Sequence, residues 1–284
     1  MKIHLKYKFL IAVLILVTSI CSMAMVTMAW YLYQTEASTS DIQMAVGTGN
    51  MLHISNQYNG EYGYTALADT FSGTLTPVST NKITGGFQKV KGFVKGTGEG
   101  PKFLAHSFEA SDSKDYYKTT LFLKATGAKQ DIYISDIGYE DSDADNPIST
   151  AIRIGFVVYE AGERKEVAAE YIFAINTADN PSAEYNTSTG SEGYVLDCSK
   201  TDGTTVPMTN LYTSENFCGF EKQTGFVTVN ENSIPLFTIN EEENEKPVQI
   251  DVYIWLEGCD KDCTNNLCNT MLKNITLSFS GKVT

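Results

Sequence analysis

The sequence predicts an all-β domain of antiparallel strands, preceded by a hydrophobic N-terminal helix. Three observations support this. Beyond about residue 34, apolar residues recur with a period of two, which is typical of β-strands. Gly, Asn, Asp and Ser separate the short apolar runs, as in turns between strands. In the same part of the chain, no window has the period of a long amphipathic helix. A parallel α/β fold would need helices between its strands. We therefore expect an antiparallel sandwich or barrel, formed as one domain by residues 30–284.

The N-terminal helix is predicted from an apolar run that follows a cluster of lysines. Lys2, Lys6 and Lys8 precede Phe9–Tyr33, which is long enough to span a bilayer as a helix. Lysines before the run and acidic residues after it place the N-terminus inside and residues beyond 34 outside. The protein is therefore expected to be secreted or held at the cell surface.

The fate of this N-terminal segment has two open interpretations. Small residues before Trp30 suit a signal peptidase, which would cut after Ala29 and release residues 1–29 as a signal peptide. Alternatively, residues 1–33 stay in the membrane as an anchor, with Tyr31 and Tyr33 among the aromatic residues at the interface.

Strands are predicted wherever the alternation is clear. In Val248–Leu256 every second residue is aliphatic, and the residues between them, from Gln249 to Trp255, point to the opposite side. The other predicted strands are Asp41–Val46, Leu52–Ser55, Thr119–Lys124, Asp131–Ile137, Ile152–Val158, Val167–Ile175, Gly225–Val229 and Asn274–Phe279. A short helix is predicted near Ala66–Phe71.

Two stretches interrupt the alternating pattern. Gly85–Gly100 is rich in glycine, and a polar tract of Thr, Ser, Asn and Gly covers about residues 176–216. Loops of such length within a domain are usually functional, constrained or partly disordered. We interpret the polar tract as an insertion between two strands, because it is too polar to form a second core.

Five cysteines lie in the last third of the chain, and an exported protein favours disulfides. Cys198 and Cys218 bracket the end of the polar tract, and a bridge between them would contribute about 3 kcal/mol in the chain-entropy estimate. Cys259, Cys263 and Cys268 could form one further bridge. Free thiols stay open as an alternative. A metal site is disfavoured, since the spacing is not C-x2-C and no histidine lies nearby.

One acidic segment begins like a calcium-binding loop. Asp141, Asp143 and Asp145 occupy positions 1, 3 and 5, but Asn146 replaces the required glycine and Ile152 the glutamate at position 12. An acidic loop between strands is the main interpretation, with weak calcium binding as the alternative. No other metal site is predicted.

Composition and motifs disfavour two classes of function. The 284 residues carry a formal net charge of -13, whereas a nucleic-acid binder needs a basic face, so nucleic acid is not an expected partner. The sequence has neither G-x-S-x-G nor H-E-x-x-H, and His53 and His106 are the histidines beyond residue 34. We predict no catalysis and no cofactor, while a glycosidase-like carboxylate pair stays open because its test is spatial.

Parts of the sequence resemble a known family. The junction Met28-Ala29-Trp30-Tyr31 resembles signal peptides cut by the SipW-type signal peptidase, which precede the TasA/camelysin group of surface and biofilm-matrix proteins. Asn146–Gly155 and Asp251–Cys263 are similar to segments of exported proteins with such signal peptides. The resemblance implies a jelly-roll β sandwich and fibres assembled by donation of an N-terminal strand. Camelysins are also classed as metallopeptidases, but this chain lacks a histidine pair at zinc-ligand spacing.

The predicted function is that of an exported structural protein of the cell surface or extracellular matrix, whose partner is a further copy of itself or another surface protein. Ile42–Val46 has the alternation of a strand that adds to a neighbouring copy, or that forms the first strand of its own sheet. The alternative function is a membrane-anchored binding module for a glycan or protein ligand. An aromatic cluster on one concave face of the domain would favour the binding module, and an unpaired edge strand near the N-terminus would favour the polymer.

Overall fold

The computed structural model describes most of the chain beyond residue 37. The described ranges are 38–40, 43–46, 52–67, 74–90, 93–95, 103–105, 108–162, 166–176, 194–196, 205–207, 211–212, 220–223, 226–229, 235–241, 246–260, 262–267 and 270–284. By its internal contacts the chain divides into Met1–Gln34 and Thr35–Thr284, and every described residue belongs to the second unit. The predicted N-terminal helix and the cleavage site at Ala29 and Trp30 therefore lie outside the described residues.

The domain is all-β, as predicted, because strands make up 56% of the described residues and no α-helix occurs among them. Single 3-10 turns lie at Ile83–Gly85, Ile148–Ala151 and Asn265–Leu267. A helix long and apolar enough to cross a bilayer is not found in the described ranges.

The strands of the described residues are numbered in chain order. They are β1 (Ser38–Ser40), β2 (Gln43–Val46), β3 (Leu52–Ser55), β4 (Thr65–Leu67), β5 (Pro77–Ser79), β6 (Gln88–Val90), β7 (Phe93–Lys95), β8 (Phe103–Ala105), β9 (Phe108–Ala110), β10 (Tyr117–Ala125), β11 (Gln130–Asp141), β12 (Ile152–Tyr159), β13 (Val167–Ala174), β14 (Tyr194–Leu196), β15 (Thr205–Pro207), β16 (Leu211–Tyr212), β17 (Phe220–Gln223), β18 (Phe226–Val229), β19 (Phe237–Ile239), β20 (Val248–Glu257) and β21 (Met271–Val283).

Two sheets carry most of these strands. The small sheet has the order β19-β11-β21-β2-β4, and β1 also pairs with β21. The large sheet has the order β16-β13-β12-β20-β5-β6-β9, and β10 pairs with both β20 and β3. Three two-stranded ribbons, β7-β8, β14-β15 and β17-β18, lie apart from them. Most pairings are antiparallel, which agrees with the alternation of apolar residues in the sequence.

The core lies between the two sheets. The aliphatic side chains of β20, from Val248 to Leu256, are all buried in it, as the alternation predicted. Phe156 of the large sheet and Phe279 of the small sheet meet there edge to face, with ring centroids 6.4 Å apart. The fold is therefore a β sandwich whose two inner faces share one apolar core.

One local expectation differs from the structure, and two further features were not predicted from the sequence. Thr65–Leu67 is a strand and not part of a helix, because its backbone pairs with β2. The glycine-rich stretch contains strands β6 and β7, and the polar tract contains β14, β15 and β16. The outward side of β20 is not solvent-facing throughout, since Asp251 and Trp255 are both buried.

Candidate functional site

Three places on the domain bring together residues that could carry a function. The first is the junction between the N-terminal and C-terminal strands in the small sheet. Ser38–Ser40 pairs in parallel with Met271–Lys273, and Gln43–Val46 pairs in parallel with Thr276–Phe279. The opposite side of β21 is covered by β11 along most of its length. The N-terminal strands therefore complete the second edge of the longest described strand.

The second place is the outward side of the large sheet, where a small apolar cluster forms under an aromatic surface. The connection between β5 and β6 crosses the outward side of the sheet and places Ile83 and Phe87 against Trp255 of β20. Glycine is required at position 155 of β12, since a Cβ there would stand 2.5 Å from Cδ1 of Ile83 and 2.8 Å from Cζ3 of Trp255. Thr84 secures the crossing segment by donating to both carboxylate oxygens of Glu170 at 2.7 and 2.8 Å.

Three partly exposed tyrosines and the exposed side chain of Lys118 lie on top of this cluster, around the buried carboxylate of Asp251. We call this surface the tyrosine face and define it as Tyr116, Lys118, Tyr159, Asp251 and Tyr253. Strand register explains how they meet, because Lys118 of β10 is directly opposite Tyr253 of β20. The three tyrosines pack on the apolar cluster. The ammonium group of Lys118 lies 5.2 Å from the ring centroid of Tyr253, within cation-π range.

Asp251 is the centre of hydrogen bonding on the tyrosine face. Its Oδ2 accepts from Nζ of Lys118 at 2.8 Å and from the hydroxyl of Tyr159 at 3.1 Å. Its Oδ1 accepts from Oγ1 of Thr120 at 2.8 Å and from Nε2 of Gln249 at 3.0 Å. With four donors on two oxygens, the carboxylate is held as an acceptor and is poorly suited to act as a general base.

The ionisation of the tyrosine face follows from these bonds. Burial works to raise the pKa of Asp251, but hydrogen bonds from Lys118, Thr120 and Gln249 outweigh burial and lower it. Burial likewise works against the charge on Lys118, yet its bond to Asp251 leaves the pKa of Lys118 raised. Burial and the adjacent carboxylate raise the pKa of Tyr159 to about 12. At neutral pH the pair Lys118–Asp251 is therefore ionised and the tyrosine hydroxyls are neutral.

The third place is a buried charge cluster, defined as Arg153, Glu257 and Asp260, at the end of β20. The guanidinium of Arg153 donates to the carboxylate of Asp260 and, at 3.0 and 3.3 Å, to the carbonyl oxygens of Ile152 and Thr150. All three side chains are inaccessible to solvent or nearly so. A substrate therefore has no access to them, and the cluster is structural.

Glu257 has the most perturbed carboxyl group of this cluster. It accepts from Nε1 of Trp255 and from the backbone N–H of Cys259, each at 3.0 Å. Burial raises the pKa of Glu257 to about 7, although Arg153 and these donors oppose the shift. Arg153 offsets burial incompletely, because its guanidinium is bonded to Asp260.

The structure places only some of the residues singled out in the sequence. Cys259 is buried and Cys263 half-buried in the turn after β20, and no disulfide joins these two. Cys198, Cys218 and Cys268 lie outside the described residues, so the Cys198–Cys218 bridge stays a prediction.

The acidic loop is held by its own hydrogen bonds. Asp141 accepts from the backbone N–H and hydroxyl of Ser149 at 2.9 and 2.6 Å. Asp143 accepts from Asn146 and from the backbone N–H of Asp145, so these carboxylates form a turn. Asp145 itself is exposed. Among the described residues, no three His, Cys, Asp or Glu side chains converge as a metal site would require.

Sequence reasoning missed the tyrosine face and the buried charge cluster. The sequence contained a signal for each of them, namely polar residues within otherwise apolar strands. Gln249, Asp251 and Tyr253 alternate with aliphatic residues in the most apolar strand, and Arg153 interrupts another apolar strand. Their partners could not be found, because Lys118 and Asp260 are joined to them only by strand pairing and by the turn after β20. Comparison with known proteins adds no relative, since no family model, curated protein or solved structure matches the chain.

Proposed function

We propose that the protein is an exported, non-catalytic structural subunit of the cell surface or extracellular matrix that assembles by exchanging its N-terminal strands between copies. The observation that carries this proposal is the parallel pairing of β1 and β2 with β21. The antiparallel two-sheet sandwich is consistent with a jelly-roll connection of the strands, which we propose as the finer fold.

The pairing is well suited to exchange. β1 and β2 have three and four residues, and backbone bonds to β21 and β4 hold them in the sheet. Such bonds do not depend on which copy of the chain supplies the strand, so an identical segment from a neighbour makes the same contacts. Parallel pairing is also slightly less stable per residue than antiparallel pairing, which lowers the cost of release.

Exchange in this manner leads to an open polymer. Each copy would donate its N-terminal strands to one neighbour and accept those of another, which is a head-to-tail contact. When the rotation between successive copies does not close a ring, head-to-tail contacts generate a filament. β21, at the acceptor site, would otherwise present an unpaired edge, and unpaired edges favour strand addition.

Sequence features expected of exported proteins support the same proposal. The lysine-flanked run Phe9–Tyr33 and the junction at Ala29 and Trp30 are typical of exported proteins. Cleavage there would free the residues that precede β1, whereas retention of residues 1–33 in the membrane would hold each copy at the cell surface. Another surface protein could accept the strands in place of a second copy.

Thiol cross-linking tests strand exchange directly. Ala45 of β2 lies opposite Ser278 of β21 in the register, so full-length chains carrying Ala45→Cys or Ser278→Cys, with different affinity tags, are co-expressed and treated with a short bifunctional thiol reagent. Exchange predicts a covalent dimer carrying both tags. A chain carrying both substitutions and produced alone shows whether the register itself is correct.

Two controls make the result decisive. Asp136 of β11 lies opposite the same Ser278 on the other side of β21, and β11 is internal to the chain. A mixture of Asp136→Cys and Ser278→Cys chains should therefore give no mixed dimer, and the unsubstituted chain reports the background of native cysteines. If the doubly substituted chain cross-links within itself and the Ala45→Cys and Ser278→Cys mixture gives no dimer above this background, strand exchange is wrong.

A further inference from the structure

We propose that the tyrosine face binds a neutral polysaccharide chain. Tyr116, Tyr159 and Tyr253 would stack against the C–H faces of sugar rings, and Lys118 would donate hydrogen bonds to sugar hydroxyls. Oγ1 of Thr120 donates its own proton to Asp251 and would accept a hydrogen bond from a sugar hydroxyl. This activity is separate from strand exchange, because it uses the outward side of the large sheet and strand exchange uses the small sheet.

The aromatic side chains of the tyrosine face are held in place before any ligand arrives. Phe87 stacks on Tyr116 with ring centroids 4.4 Å apart, and it also contacts Trp255 edge to face at 5.1 Å. The rings of Tyr116 and Tyr253 are 6.0 Å apart. Phe87 and Trp255 are buried, whereas the tyrosines above them keep part of their surface in solvent. Rigid, partly exposed rings lose little conformational entropy on binding, which favours a flat ligand such as a sugar.

The surface is long enough for several sugar units. Lys118, Thr120, Phe122 and Lys124 alternate along the outward side of β10, so the row from residue 118 to residue 122 measures about 13 Å. At the far end, Tyr58 packs edge to face on Phe122 with centroids 5.7 Å apart. Aromatic side chains thus lie at both ends of a polar centre, as an extended chain of sugars requires.

The charges on the tyrosine face favour a neutral ligand. The ammonium group of Lys118 and the carboxylate of Asp251 are 2.8 Å apart and neutralise each other. The whole chain has a formal net charge of -13, which repels an anionic polymer. A neutral polysaccharide meets neither repulsion nor the need to break this ion pair.

The position of the face argues against a protein ligand. β20 lies between β10 and β12, and β12 lies between β13 and β20, so the backbone groups of these two strands are engaged in ladders on both edges. A peptide strand therefore cannot add there by main-chain hydrogen bonds. Polar groups also cross the middle of the surface, whereas the centre of a protein interface is usually depleted of charge.

Native gel electrophoresis through soluble polysaccharides tests the proposal on the full-length chain. The probes are five neutral polymers, namely hydroxyethylcellulose, mixed-linkage β-glucan, galactomannan, xylan and dextran, with alginate as the anionic comparison. At least one neutral polymer should retard the protein. Lack of retardation by all five, or retardation by alginate alone, overturns the proposal.

Variants connect retardation to the tyrosine face. Tyr253→Ala should weaken retardation about tenfold, since it removes a stacking ring, and Tyr253→Phe should keep it within about threefold. Tyr139→Ala truncates a half-buried tyrosine of the small sheet and should leave retardation unchanged. Tyr116→Ala replaces Tyr253→Ala if that variant does not fold. Equal retardation of the folded alanine variants and the unsubstituted chain would falsify the assignment.

Strand exchange is measured separately, by adding Ala45→Cys or Ser278→Cys to chains that carry the tyrosine substitutions and testing for the cross-link between them. Tyr253→Ala should leave this cross-link unchanged. If Tyr253→Ala abolishes contacts between copies while retardation of the unsubstituted chain is absent, the tyrosine face is a protein interface and the polysaccharide proposal is wrong. Failure of either proposal is thus recognised without reference to the other.

Discussion

Asp251 and Glu257 lie on the outward side of one strand, β20, yet the pKa values of their carboxyl groups shift in opposite directions. The pKa of Asp251 is lowered and that of Glu257 is raised to about 7. Burial works to raise both. The difference arises from the donors, because Asp251 has an ammonium group of its own and Glu257 shares its nearest cation with Asp260.

The comparison shows how the polar groups on one side of a sheet divide into a set that borders solvent and a set that is fully enclosed. In the middle of β20 the carboxylate of Asp251 is buried but belongs to a small, locally neutral set, and its partner Lys118 remains accessible to solvent. At the end of β20 two carboxylates and one guanidinium are enclosed together, and they fix the turn that carries Cys259. The raised pKa of Glu257 therefore reflects burial in a structural cluster.

The largest change in the free energy of unfolding is expected from removing Arg153, the cation of the buried charge cluster. Arg153→Met should lower the free energy of unfolding by about 3 to 5 kcal/mol, because it leaves Asp260 and Glu257 buried without a positive partner. Urea denaturation at pH 7 measures this loss. A loss below about 1 kcal/mol would mean that water reaches the buried charge cluster. The cluster and the tyrosine face would then not differ in how strongly they depend on their cations.

A smaller change in the free energy of unfolding is expected from pH, and the carboxyl groups of Glu257 and Asp251 change it in opposite directions. The folded chain keeps the Glu257 proton up to about pH 7, whereas the unfolded chain releases it near pH 4.5. Stability from this group is therefore complete below pH 4.5 and is lost as pH rises towards 7, by about 3 kcal/mol in total. Asp251 contributes in the reverse sense, and its contribution is lost as pH falls below about 4.

Glu257→Gln isolates the contribution of this carboxyl group. Denaturation of the unsubstituted chain and of Glu257→Gln is compared from pH 4.5 to pH 8. The stability difference between them should change in favour of the glutamine variant as pH rises through this window. Parallel stability profiles over the whole window would show that the carboxyl group of Glu257 ionises in the folded chain as it does in the unfolded chain.

The smallest effect is expected in the middle of the strand. Lys118→Met removes the ion pair with Asp251, but the side chain of Lys118 is 44% exposed and three neutral donors remain on the carboxylate. The free energy of unfolding should fall by no more than about 1 kcal/mol. Both substitutions replace a cation by methionine, so Lys118→Met is the matched control for Arg153→Met under the same conditions. A loss as large as that of Arg153→Met would remove the distinction between the two sites.

The sequence by itself determined the fold class and most strands of the two sheets. Alternation of apolar residues in Val248–Leu256, Ile152–Val158 and Leu52–Ser55 is enough, since the side of a strand that faces the shared core imposes a period of two on its apolar residues. In β12 the other side is buried as well, but its residues Arg153 and Gly155 keep the alternation visible. The same signal failed at Ala66, where three residues are too few to show a period and pairing with β2 decides the conformation.

Only the tertiary structure decided which polar residues act together. Lys118 and Asp251 are 133 positions apart in the chain, and Arg153 and Asp260 are 107 apart, so each pair depends on strand register and not on local sequence. The parallel pairing of Gln43–Val46 with β21 likewise joins residues more than 200 positions apart, which no local pattern specifies. Periodicity specifies which side of a strand faces the core, but it carries no information on which strands become neighbours, because many pairings would bury the same apolar side chains.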